Sequence, residues 1–152
     1  MSQSRIRDEG AFTGSLLRLA RVYRREVNRA LAEHGMSDAR ALPVLHLARA
    51  GGGLRQGVLA EALGVEGPSL VRILDQLCAA NLVERRVDPQ DGRARTLHLT
   101  AEGETLAKVV EDVLQAVRSR VLSGVSDVNL ATTLRAFTAF EAALAAVAAQ
   151  AS

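Results

Sequence analysis

Residues 55–77 read RQGVLAEALGVEGPSLVRILDQL. Three positions in this stretch decide its geometry. Ala60 is small, as a residue must be where a following helix crosses. Gly64, four residues on, takes a tight turn. Leu70, ten residues after Ala60, plugs the space between two helices. The first helix is expected over 55–63 and the turn over Gly64-Val65-Glu66-Gly67. The second helix starts at Pro68, a residue suited to a first helical position, and runs to about Ala80. Leu70, Ile73, Leu74 and Leu77 form its buried stripe, and Ser69, Arg72 and Gln76 lie opposite at helical spacing.

The next stretch, residues 81–103, reads NLVERRVDPQDGRARTLHLTAEG. Leu82 to Val87 reads as a strand. Asp88-Pro89-Gln90-Asp91-Gly92 is dense turn chemistry. Arg95 to Leu99 reads as the returning strand, with Leu97 and Leu99 on one face and Thr96 and His98 on the other. Asp91-Gly92-Arg93 is then expected at the hairpin tip, with Arg95 beside it. An acid two residues before an arginine can fix its guanidinium by a charge-assisted hydrogen bond; a loose surface ion pair is the plainer alternative.

Outward from this core the chain reads as helix. Leu16, Leu19, Ala20, Tyr23, Val27, Ala30 and Leu31 recur near the 3.6 period and predict a helix over 12–33 closed by Gly35. Ser37 fits an N-cap for a second helix to about Arg49, in which Pro43 predicts a kink or a late start. Gly51-Gly52-Gly53 is a loop; no Gly-Lys-Ser/Thr follows, which argues against a phosphate cradle. Thr100 caps a helix with Glu102 and Glu104 in its first turn, running to about Leu122. Ser126 and Asp127 open the last helix, to about Ala149. The apolar faces of these end helices exceed what one small domain covers, so a partner chain is expected on them.

Composition narrows the classes. The chain has 152 residues, 48% hydrophobic and 24% charged, which predicts one soluble globular domain. One cysteine excludes a disulfide framework and a multi-cysteine zinc site. Residues 1–10 carry Arg5, Arg7, Asp8 and Glu9 and do not read as a signal peptide. No uncharged apolar run approaches the ~18 residues of a membrane span, so a cytoplasmic protein without a membrane role is expected. Residues 1–49 hold nine arginines against five acids, a net +4, while residues 100–152 hold four bases against six acids, a net −2. Arginine suits phosphates and guanine edges, although a GC-rich genome would enrich it as well.

A polar face on a helix is also what ordinary solvation produces. The preceding turn and the following hairpin favour the DNA reading, in which such side chains reach base edges and a wing arginine enters the minor groove. A protein-binding winged helix without DNA contacts is the alternative, and a small helical enzyme a further one. No catalytic constellation, cofactor motif or metal-ligand spacing stands out. His34, His46 and His98 are scattered, and Cys78 beside Leu77 reads as a packed hydrophobe.

Residues 65–77, Asn81-Leu82-Val83, Asp91-Gly92-Arg93-Ala94-Arg95 and Leu99-Thr100-Ala101-Glu102-Gly103 together resemble the MarR family of transcriptional regulators, most closely its SlyA branch. The likeness spans about residues 12 to 147. It implies a mainly α fold with a small β wing: a winged helix-turn-helix lobe over about 37–100, with dimerisation helices over about 12–33 and 101–149. It implies a homodimer on pseudo-palindromic operators in double-stranded DNA. The expected DNA-contacting set is Arg55, Gln56, Pro68, Ser69, Arg72, Gln76, Arg86, Asp91, Arg93 and Arg95. Many relatives respond to small aromatic carboxylates, and Arg18, Arg21 and His46 fall near where that pocket would be. No cofactor is implied.

Overall fold

A computed structural model describes residues 2–150. The chain divides into two compact units, residues 1–117 and 118–152. The first unit opens with α1 (Gln3–Ala32), followed by α2 (Asp38–Ala50), β1 (Leu54–Arg55), α3 (Gln56–Leu63), α4 (Gly67–Ala79), β2 (Val83–Asp88) and β3 (Asp91–Leu99). α5 (Ala101–Val121) runs across the division, and α6 (Asp127–Gln150) belongs to the second unit.

α1 starts nine residues before the helix expected from apolar spacing. Ser2 caps it, its Oγ accepting from the Arg5 N–H at 3.3 Å, and Arg5 pairs with Glu9 one turn on at 2.8 Å. These exposed residues carry no apolar stripe, so periodicity could not find them. At the other end Val27 and Leu31 are buried, in a cluster with Ala41 and Leu45 of α2 and Val110, Val113, Leu114 and Val117 of α5.

α2 does not start late. It begins at Asp38, directly after Ser37, and carries a buried Pro43 in its interior. Its start is held by Asp38 instead of by the Ser37 side chain. Asp38 donates its N–H to Asn28 Oδ1 at 3.0 Å, and its carboxylate accepts from Arg24 Nε at 2.6 Å. These contacts anchor the first turn to α1.

The helix-turn-helix forms as its spacing requires. Ala60 is 8% exposed and Leu70 fully buried. Gly64 closes α3 at φ +63°, a left-handed conformation that costs a β-carbon-bearing residue strain. Leu59, Leu70, Leu74 and Leu77 form a second apolar cluster with Val44, Leu47, Val83 and Leu97.

The sheet has three strands, ordered β1-β3-β2 and all antiparallel. The sequence reading had two. β1 is two residues long, and it is a strand only because Leu54 and Arg55 pair with Leu97 and Thr96. β3 begins four residues earlier than expected. Asp91 already faces Asp88, with an irregularity at Val87/Asp88. The hairpin turn is therefore Pro89-Gln90, and Asp91-Gly92-Arg93 lies on the strand rather than at the tip. Thr96 is buried as well, being 6% exposed.

β3 passes into α5 through Thr100. Its hydroxyl donates to the Asn81 carbonyl at 2.6 Å and accepts from the Gly103 N–H at 3.0 Å, while its own N–H donates to the Leu82 carbonyl. α5 thereby starts directly against the entrance to β2.

In the second unit α6 has no buried residue. By length and composition alone it is apolar enough to cross a bilayer, with a mean hydropathy of 1.3. Arg135 and Glu141 interrupt its uncharged run.

Candidate nucleic-acid interface

α4 carries its buried stripe on Leu70, Leu74 and Leu77, with Ile73 half-buried. Helical geometry then turns Pro68, Ser69, Arg72 and Gln76 outward, and all four are exposed. Gln56, at the start of α3, is half-buried.

Ion pairs divide the arginines of residues 55–95 into two sets. Arg55 reaches Asp88 Oδ2 with Nε at 2.8 Å and a terminal nitrogen at 2.7 Å, and lies 3.9 Å from Asp91. Arg86 donates to Glu84 through Nε at 2.8 Å and through a terminal nitrogen. Arg85 donates to Asp75 of α4 at 2.7 Å. Among the described residues, no salt bridge holds Arg72, Arg93 or Arg95. These three exposed guanidinium groups, on α4 and β3, stand open to an anionic ligand, as does Arg40 on α2.

The pair expected between Asp91 and the Arg93 guanidinium does not form. Asp91 Oδ1 accepts from the Arg93 backbone N–H at 3.1 Å. An aspartate commonly bonds the amide two residues on, so Asp91 shapes the strand entry and leaves the guanidinium free. Asp88, which the sequence reading assigned to the turn without a partner, does the same with Gln90 at 2.8 Å. That hydrogen bond, and next the Arg55 guanidinium, hold the Asp88 carboxyl below its ordinary value. The interaction is thus present above the usual Asp range near ~3.9 and is lost as pH falls through the lowered value.

Other candidates lie elsewhere. Arg18 and Arg21 are exposed on α1, and His46 is half-buried on α2. A cleft of about 480 Å³ in the first unit is lined by other residues, among them Arg49, Gly52, Arg86, His98, Lys108 and Glu111. Arg49 and Glu111 pair across 62 residues of sequence at 2.8 Å, a contact no local pattern announces. Cys78 is half-buried against the core, as a small hydrophobe would be. Among the described residues no group of three or more His, Cys, Asp or Glu could hold a metal ion.

Residues 34–94 match the model of the MarR family. The crystal structure of the transcriptional regulator PA3341 is 36% identical over 88% of this chain and 97% of its own, with a TM-score of 0.82. A MarR-family transcriptional regulator from Silicibacter pomeroyi is 26% identical over 92% of this chain and 94% of its own, with a TM-score of 0.75. A cysteine-substituted MarR from E. coli, crystallised with operator DNA, shares the fold at 22% identity over 88% of this chain and 96% of its own, with a TM-score of 0.73. A winged helix with this order of elements, at this identity over nearly the whole of a known transcriptional regulator, places the chain in the MarR family.

Proposed function

We propose that the chain is a homodimeric, sequence-specific DNA-binding regulator acting on pseudo-palindromic operators. The observation that carries this reading is the division of the arginines. Arg72 on the outward face of α4 and Arg93 and Arg95 on the wing hold no salt bridge, whereas Arg55, Arg85 and Arg86 are paired. Arg72, with Ser69 and Gln76, suits base edges in a major groove, and Arg93 suits the minor groove. The operator complex of E. coli MarR adds support from the shared fold. Residues 37–100 would form the reading lobe, and residues 12–33 and 101–149 the dimer helices. The wing-to-α5 stretch supports a SlyA-like placement, and a regulator of this kind works in the cytoplasm. The test is selection of genomic fragments by the purified protein, followed by footprinting. Two protected half-sites about 10 base pairs apart are expected. Absence of any selected fragment overturns the reading.

The dimer has its own test. Val128, Leu134, Leu144 and Val147 of α6 are 54–74% exposed, and Leu17 and Leu19 of α1 are 68% and 59% exposed. A second copy covers such faces more cheaply than a bilayer, where Arg135 and Glu141 would each be costly. Light scattering at micromolar concentration is expected to give twice the chain mass, and Leu134→Glu with Leu144→Glu to give the monomer. A monomeric parent refutes the dimer.

The effector in this reading is a small aromatic acid. The cleft beside Arg86, His98 and Lys108 supports it, because Lys108 there stands beside the apolar Leu45, Leu47 and Leu99, with Glu104 and Glu111 also in the lining. Millimolar salicylate is expected to weaken DNA binding in the parent and to act less in Lys108→Glu. A ligand shifts the two states only by its differential affinity for them. Unchanged binding in the parent removes the effector.

A further inference from the structure

The two outer strands of the wing are joined across the middle one. β3 lies between β1 and β2, with Arg55, Thr96 and Arg86 in one register row. Arg55 passes over this row to Asp88, the last residue of β2, 33 residues away in sequence. Two guanidinium nitrogens converge on Asp88 Oδ2, while Oδ1 of the same carboxylate accepts the Gln90 N–H of the hairpin turn. The Asp88 side chain is 10% exposed, so the pair is better shielded than an ordinary surface bridge. Arg55 is also the N-cap residue of α3, so its backbone is fixed to the first helix of the helix-turn-helix. One side chain thus connects the start of the helix-turn-helix to the hairpin turn of the wing.

We infer that Arg55 is a positioning residue that holds the wing in register with the helix-turn-helix through Asp88, and that it is not a phosphate contact. This rests on the DNA-binding reading above. A wing arginine and a helix arginine must reach two grooves at once, so the angle between their supports sets how well both bind. With both its oxygens engaged, Asp88 fixes that angle from the wing side. Without the clamp the hairpin keeps its β1–β3 ladder beside α3, but its turn loses the side-chain tie to the start of α3. Arg93 is then presented over a wider range of positions.

The two roles make opposite demands on Asp88. If Arg55 positions the wing, Asp88→Asn and Arg55→Ala weaken binding to a mixed-sequence DNA duplex in the same direction. The loss is about threefold to fivefold, the upper range for an exposed ion pair. Both losses act through Arg93, so in an Arg93→Ala background neither adds a further loss. If Arg55 touches phosphate, Asp88→Asn removes an anion near the DNA and leaves binding equal or tighter. In that case Arg55→Ala keeps its full effect in the Arg93→Ala background. Either of those results, or parental binding in both single variants, overturns the assignment. Amide hydrogen exchange on the free protein gives an arm that needs no DNA. Faster exchange over residues 90–95 is expected in both variants, with residues 70–77 unchanged, and unchanged exchange at the wing overturns the clamp. A parent that binds no duplex defeats the DNA-binding reading, and the exchange arm still decides the clamp.

Discussion

Gly103→Ala is expected to lower stability by about 3 kcal/mol, the upper part of the usual overpacking range. For a chain of this length that is a fall of roughly 10 °C in the midpoint temperature. A Cβ on Gly103 would stand 2.0 Å from the Leu82 carbonyl oxygen and 3.0 Å from its carbon, with Leu99 Cδ2 at 3.2 Å. The obstructing atom is backbone, so no rotamer change relieves it. That oxygen also accepts the Thr100 N–H, and Thr100 in turn receives the Gly103 N–H. Relief therefore needs α5 to lift from the entrance to β2, which breaks the junction that seats the sheet on the helix. Gly14→Ala is the control. That glycine is also helical, and nothing lies within 4 Å of the added carbon. There alanine is expected to gain about 0.5–1 kcal/mol. Urea unfolding with an unchanged m-value measures both, and a Gly103→Ala protein as stable as the parent would show that the junction yields.

Arg72→Ala and Arg93→Ala should fail in different ways. Arg72 projects from the exposed face of α4 and holds no salt bridge. Removing its fork is expected to cut discrimination by ~1–3 kcal/mol at one position per half-site, leaving binding to scrambled duplexes little changed. Arg93 lies on β3 with its amide held by Asp91 and its guanidinium free of any salt bridge. The minor groove shows few distinguishing groups, so Arg93→Ala is expected to lower affinity across sequences. The salt dependence becomes shallower by about one unit per arginine lost, and any lost selectivity concerns A/T-rich flanks. Asp91→Asn keeps an oxygen for the Arg93 amide, so its effect is expected to be small. Titration of the three variants against specific and scrambled duplexes at several salt concentrations separates these outcomes. An Arg93→Ala protein that binds like the parent would mean that the wing does not touch DNA.

The helix-turn-helix was legible in the chain because its determinants are local. Ala60, Gly64 and Leu70 act within eleven residues, and the stripe of α4 repeats at the helical period. The outward positions of Ser69, Arg72 and Gln76 followed from that stripe. The turn at Asp88-Pro89 was legible for the same reason, since aspartate and proline bias their own backbone. The start of α1 was not, because its first turns are held by a cap and an exposed ion pair with no apolar repeat.

The remaining features depend on residues distant in sequence. Leu54 and Arg55 have no strand pattern of their own and become β1 only against Leu97 and Thr96. Gly103 looks like an ordinary helical glycine until the Leu82 carbonyl is placed against it. Asp91 and Arg93 carry the spacing of an ion pair, yet once both sit on β3 the carboxylate takes the nearer amide. Arg55 and Arg72 are equivalent as letters. One meets a carboxylate 33 residues away and the other meets none, because each charge takes its partner from the groups that packing brings within a few ångströms.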